Sequence, residues 1–181
     1  MHAVILAAGR GSRLGDLDYP KALAPLNQGE TILARQVRLL KENIPKPLLI
    51  HIVVGYKKEL VMEKFRDLYF VINLIWHMEN TGKSLWKAFD TFIGDVIFMN
   101  GDVVFHPSAL QEILHFNKTS MLVNKAPVGE EEVKYKLNKE GAISAVSKDL
   151  KDAEWEALGI NLFKKEDMIK LKAALEDCGY Q

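Results

Sequence analysis

From Ala3 to Ala7 every side chain is apolar, and the run passes through Ala8 into a loop built on Gly9, Gly11 and Gly15. A strand that is apolar on both alternating faces must be covered on both, as an inner strand of a parallel sheet is by helices above and below. The pattern recurs downstream. Strand candidates fall at 3–7, 48–54, 70–75, 96–99 and 120–123, and between them the apolar residues change to helical spacing. Leu33, Val37 and Leu40 share a face of Ile32–Asn43, with Thr31 placed to cap it. Leu60, Met62 and Phe65 mark a second helix and 85–92 a third. Pro107 opens a fourth, with Leu110, Ile113 and Leu114 at core spacing. Beyond Ala126 come strand runs at 133–137, 143–147 and 158–163, then a helix over 166–176. This alternation predicts an α/β fold with a doubly wound sheet, and ligands at the carboxyl ends of its strands.

The 181 residues, 48% hydrophobic, suit one domain, which at this length buries roughly 70% of its unfolded surface. Lys plus Arg and Asp plus Glu both number 24, so no basic excess points to nucleic acid. No cationic amphipathic helix points to a membrane surface. The apolar start lacks a basic leader and breaks at Gly9-Arg10, too short to enter or cross a bilayer. Cys178 is the single cysteine, which fits a reducing, cytoplasmic setting.

Glycines let a backbone approach a ligand closely and aim several N–H groups at one anion. Two phosphate motifs fail on inspection. A dinucleotide fingerprint needs glycine where Leu14 stands, and a P-loop needs Gly-Lys-Ser/Thr, which is missing here. What stands instead is Gly9-x-Gly11-x-Arg13, with Pro20-Lys21 beyond. Arg13 can fork onto two phosphate oxygens, and Lys21 supplies a compact charge next to the stiff Pro20.

Leu6-Ala7-Ala8-Gly9-x-Gly11-x-Arg13 together with Pro20-Lys21-Ala22-Leu23 resembles the signature of sugar-1-phosphate and related nucleotidylyltransferases. The resemblance implies a Rossmann-like, mixed and mostly parallel sheet in a single domain. It implies an enzyme that uses Mg²⁺ and an NTP, transferring NMP to a small phosphorylated acceptor with loss of pyrophosphate. By the same resemblance Leu6, Ala7, Ala8, Gly9 and Gly11 line the nucleotide, while Arg13 and Lys21 are the catalytic cations on the phosphates. A homo-oligomer is left open.

Three further stretches extend the match. The apolar strand ending Asn100-Gly101-Asp102 places a carboxylate at a strand's carboxyl edge, where a hard cation finds oxygen ligands; the family's metal-binding Asp occupies a similar place, so Asp102 is assigned to the metal. In Asn80-Thr81-Gly82-Lys83-Ser84, Thr81 can cap a helix, and by resemblance Asn80, Gly82 and Ser84 read the base. The stretch from Ser144 to Ile160 is similar to the phosphocholine and inositol-phosphate cytidylyltransferase branch, which favours CTP. There Lys148 corresponds to a lysine facing the acceptor phosphate, and Glu156 is either a partner for an acceptor hydroxyl or a solvated glutamate. The five histidines offer no metal-ligand pair at helical spacing, and Trp76, Trp86 and Trp155 read as packing residues.

Family members supply a second metal-binding Asp from a later segment. No acidic residue of 166–177 substitutes for it, since Met168, Leu171 and Leu175 make that stretch an amphipathic helix. The expectation is therefore a domain lacking a C-terminal segment usual in the family, binding NTP well and catalysing weakly. The alternatives are a molybdopterin guanylyltransferase-like enzyme and a non-catalytic nucleotide-binding regulatory subunit.

Overall fold

The computed structural model describes residues 1–11, 17–89, 92, 94–125, 129, 132–151, 153 and 155–178, with the backbone alone at Gln28. Within it, strand β1 (His2–Ala7) is buried at every position. Its alternating side chains feed two separate cores. Ala3, Ile5 and Ala7 join Leu33, Val37 and Leu40 of α1 (Ile32–Asn43) and Leu110 and Ile113 of α4 (Pro107–Phe116). Val4, Leu6 and Ala8 meet Leu85 and Ala88 of α3 (Thr81–Ala88), with Met168 and Leu175 of α5 (Met168–Asp177) packed behind. Ile5, Leu33 and Leu40 are fully buried, each contributing about 1.5–3 kcal/mol relative to exposure. Double coverage is why this strand carries no polar side chain between Ala3 and Ala7.

The remaining strands are β2 (Leu49–Val54), β3 (Tyr69–Ile72), β4 (Val96–Asn100), β5 (Ser120–Asn124), β6 (Lys134–Leu137), β7 (Ile143–Ser147) and β8 (Trp155–Phe163); α2 (Lys58–Lys64) links β2 to β3. They form one sheet in the order β3-β2-β1-β4-β8-β6-β7, with β5 also on β8. The stretch β3-β2-β1-β4 is parallel, and β8 runs antiparallel to β4, β5 and β6. The sheet is therefore mixed, with its parallel part confined to the first four strands. Crossovers leave β1 toward β2 on one side and enter β4 on the other, which puts a topological switch point, and hence a crevice, between the carboxyl ends of β1 and β4.

Two local expectations are corrected. The helix expected over 85–92 begins earlier, at Thr81, and its cap is Asn80 rather than Thr81. Asn80 is extended and its Oδ1 accepts from Lys83 N at 2.9 Å, the bond that satisfies an orphan donor of a helix start. The strand expected over 70–75 stops at Ile72, because the buried Asn73 turns the chain. Its Oδ1 accepts from Ile75 N at 3.1 Å and its Nδ2 donates to Ser84 Oγ at 3.0 Å.

Candidate active site

The crevice is a cleft of about 590 Å³. One wall is the loop leaving β1. Gly101 N donates to Leu6 O at 2.9 Å, so the end of β4 is drawn against that loop. A Cβ on Gly101 would lie 3.0 Å from both Leu6 O and Ala7 Cβ. A side chain here would push the turn bearing Asp102 a few tenths of an ångström away from β1.

Lys21 reaches the same place from elsewhere. It opens a 3-10 turn, Lys21–Leu23, whose Ala22 and Leu23 are buried, so the turn is anchored by its apolar residues and the lysine faces the cleft. Gly11, at φ 76°, lies so close that a Cβ there would sit 2.7 Å from Lys21 Cβ. The ammonium donates to Asp102 Oδ2 at 2.8 Å. These side chains are 33% and 41% exposed, and pairs that open to solvent add about 0–1 kcal/mol to stability. The fold gains little from the pair.

The opposite wall is the start of α3 with the loop before it. Asn80 and Ser84 line the cleft there, together with Trp76, His77 and Glu79. Glu79 is buried, with Oε1 3.1 Å from Lys87 Nζ and Oε2 without a hydrogen-bond partner among the described residues. Trp76 packs edge-on to Tyr56 at 5.5 Å.

Nine expected site residues thus meet around one cleft: Leu6, Ala7, Ala8, Gly9, Gly11, Lys21, Asn80, Ser84 and Asp102. Arg13 lies outside the described residues. Gly82 turns its Cα toward the C-terminal segment, where a Cβ would meet Cys178 Sγ at 3.1 Å and Leu175 Cδ2 at 3.4 Å. Lys148 is exposed just beyond β7, and Glu156 sits on β8 in register with Lys134 and Asn124; neither lines the cleft. Trp76, His77 and Glu79 were missed by sequence reasoning. Their one signal was their position immediately before the polar loop at Asn80.

Among the described residues no group of three or more His, Cys, Asp or Glu side chains could hold a metal by itself. Asp102 offers the exposed carboxylate of the cleft, while Glu79, which also lines it, is buried and paired with Lys87; one open carboxylate suits a hard cation carried in on phosphates rather than a caged one. No helix among the described residues is long and apolar enough to cross a membrane.

Residues 3–154 match the family model of the MobA-like NTP transferase domain. The bifunctional protein GlmU of Methanococcus maripaludis is 31% identical over 127 residues, which cover 68% of this chain and 30% of that protein. The chain thus spans less than a third of the length of the curated relatives it matches first. Among solved structures, the inositol-1-phosphate CTP transferase from T. maritima superposes with a TM-score of 0.74 at 20% identity, over 93% of this chain and 72% of that one. The CTP:phosphocholine cytidylyltransferase from Streptococcus pneumoniae superposes with a TM-score of 0.71 at 22% identity, over 97% and 75%. These likenesses show a shared fold. With the family match spanning the glycine loop, Lys21, the Asn80 loop and Asp102, the chain belongs to the MobA-like NTP transferase domain family.

Proposed function

We propose that this chain is a cytoplasmic nucleotidylyltransferase that moves NMP from an NTP, CTP favoured, to a phosphorylated small alcohol or sugar 1-phosphate. The observation that carries the proposal is the Lys21–Asp102 pair, 2.8 Å apart at the mouth of a glycine-walled cleft. The preference for CTP is supported by the two cytidylyl-transferring enzymes that share the fold.

An acceptor phosphate oxygen attacks the α-phosphorus, the bond to the β-phosphate breaks, and pyrophosphate leaves. Two anions must meet, and at about 4 Å two unit charges repel by roughly 4 kcal/mol at an effective dielectric near 20. The work of the site is therefore neutralisation and alignment, with no protein nucleophile. Lys21 exchanges its carboxylate partner for phosphate oxygens as the triphosphate arrives, and Arg13 is the second cation there. Backbone N–H groups of Gly9 and Gly11 receive the phosphates beside Leu6, Ala7 and Ala8. Asn80 and Ser84 form the base side; Gly82 is joined to them, and Lys148 with Glu156 to the acceptor, by the family resemblance, since these three lie outside the cleft lining. Asp102 is the residue that would hold Mg²⁺, which supplies charge neutralisation at the phosphates when bound.

The test is a pyrophosphate-release screen of CTP, UTP, dTTP, ATP and GTP against phosphocholine, inositol 1-phosphate and glucose 1-phosphate, with thermal stabilisation by each NTP read in parallel. CTP is expected to give the fastest release. Preference for GTP would favour the guanylyltransferase alternative, and stabilisation without release from any pair would leave a nucleotide-binding regulator.

A further inference from the structure

Helix α1 carries a polar residue on the face that its periodicity makes apolar. Gln36 lies between Leu33 and Leu40 and is 1% exposed. Its amide is not spent inside the helix. Nε2 donates to Asn100 O at 2.9 Å and to Val103 O at 2.8 Å. Those two carbonyls bracket Gly101 and Asp102, and Asn100 O also accepts from Val103 N at 3.3 Å. The amide orientation follows from its partners, because the reverse would set Oε1 against two carbonyl oxygens. Oε1 itself is buried without a partner among the described residues, which is costly. A leucine would serve the core better, so what is retained here is the donor end.

The same helix also mounts Lys21. Ile32 N donates to Ala24 O at 3.1 Å and Ala24 N to Lys21 O at 2.9 Å, while Pro25 and Thr31 form a β-bridge. One turn along, Arg35 Nη2 donates to Phe105 O at 3.0 Å, a second tether on the segment after Asp102. Both members of the Lys21–Asp102 pair are therefore seated on α1, although they leave the sheet from different strands.

We propose that Gln36 is the positioning residue of this site: by bridging the carbonyls of Asn100 and Val103 it fixes the Asp102 carboxylate relative to Lys21, so that both address the same triphosphate. The inference rests on the proposed function of the cleft, and it adds a residue that touches neither substrate nor cation. Outer residues that orient such a carboxylate typically cost 10–100-fold in activity or metal affinity when removed.

Four variants separate the possibilities: Gln36→Leu, Gln36→Glu, Leu40→Ala as a packing control on the same buried face, and Asp102→Asn as a control for the site. Each is assayed with the NTP–acceptor pair the wild-type chain uses fastest, across a Mg²⁺ titration. Amide hydrogen exchange of the ligand-free protein over 101–105 is followed alongside. For Gln36→Leu, kcat is expected to fall about 10–100-fold with KM for the NTP nearly unchanged, the half-saturating Mg²⁺ to rise, and exchange over 101–105 to quicken. Leu40→Ala should lose thermal stability while keeping wild-type kcat and Mg²⁺ dependence. Gln36→Glu should lose activity relative to wild type as rising pH sets a carboxylate against two carbonyls, and keep more of it toward acid, where one O–H donor remains. A folded Gln36→Leu with wild-type kcat, Mg²⁺ dependence and exchange, beside an inactive Asp102→Asn, overturns the role of Gln36 and leaves the site standing. A fully active Asp102→Asn overturns both.

Discussion

Lys21 Nζ and Asp102 Oδ2 stand 2.8 Å apart across the mouth of the cleft, 81 positions apart in the chain. The cation expected to hold phosphate and the carboxylate expected to hold a metal hold each other. In this arrangement neither charge is left unpaired. Because both side chains reach solvent, an anion and a cation arriving together can replace the two partners at little cost, each half of the incoming pair taking the group of opposite sign.

Lys21→Ala is expected to lower turnover about 10²–10³-fold, the usual effect of deleting one preorganised electrostatic group. Thermal stability should change by less than about 1 kcal/mol, since the ion pair it breaks is solvent-exposed. Steady-state kinetics and a melting curve on the same preparation test both halves. Near-normal turnover in the folded variant would remove Lys21 from the phosphates.

Asp102→Asn keeps the shape of the turn and replaces a charged oxygen ligand by a neutral amide, a poorer ligand for a hard cation. Turnover should nearly vanish at low Mg²⁺ and recover only in part as Mg²⁺ is raised. A Mg²⁺ titration superimposable on wild type would make Asp102 a turn residue and nothing more.

The parts of this molecule governed by local patterns were legible in the sequence. Helix α1 spans Ile32–Asn43 as its apolar spacing predicts, and Thr31 Oγ1 accepts from Ala34 N at 3.2 Å as its cap. The glycine loop and Asp102 were found because a strand end followed by small residues leaves a record within a few positions. The antiparallel share of the sheet was harder to see. It depends on β8 inserting between β4 and β6, a pairing between distant segments that composition does not encode. Gln36 was invisible for a related reason: on a helical wheel it is a blemish in the apolar face of α1, and its purpose appears only when Asn100 and Val103 are brought to it.

A pH effect on stability should arise far from the cleft. His51, 4% exposed, has its Nε2 3.1 Å from His2 Nδ1 and stacks against Tyr69, with Phe92 edge-on. Burial, reinforced by the charge of His2, pulls its pKa from 6.5 to about 4. Below its ordinary value the unfolded chain takes up the proton and the folded chain does not. Stability is therefore complete above that value, falls as pH drops through the window, and levels off below the folded value. The loss is on the order of 3 kcal/mol. Melting temperature measured between pH 7 and pH 4 should show the decline, and His51→Phe should flatten it. An unchanged slope in that variant would assign the acid sensitivity to other groups.

Gly11→Ala gives the sharpest separation between a loop that merely turns and a loop that places a catalytic cation. Gly11 has φ 76°, a conformation that costs an L-residue roughly 1–2 kcal/mol. That strain alone would be a modest loss of stability. The added methyl has a second consequence, because it would stand 2.7 Å from Lys21 Cβ and 3.2 Å from Lys21 Cδ. Atoms cannot remain that close, so either the loop or the lysine stem moves, and a shift of the stem takes Lys21 Nζ from its place beside Asp102. Turnover should consequently fall about tenfold or more, since misplacing a reacting group by an ångström can cost about 10²-fold, while the folded fraction stays high. Gly29 provides the comparison: its φ is 81°, and a Cβ there would meet nothing within 4 Å among the described residues beyond its chain neighbours. Gly29→Ala should show a comparable strain in the melting curve and wild-type turnover. If both variants lose activity equally, or neither does, Gly11 is not spacing Lys21 and its glycine serves the turn alone.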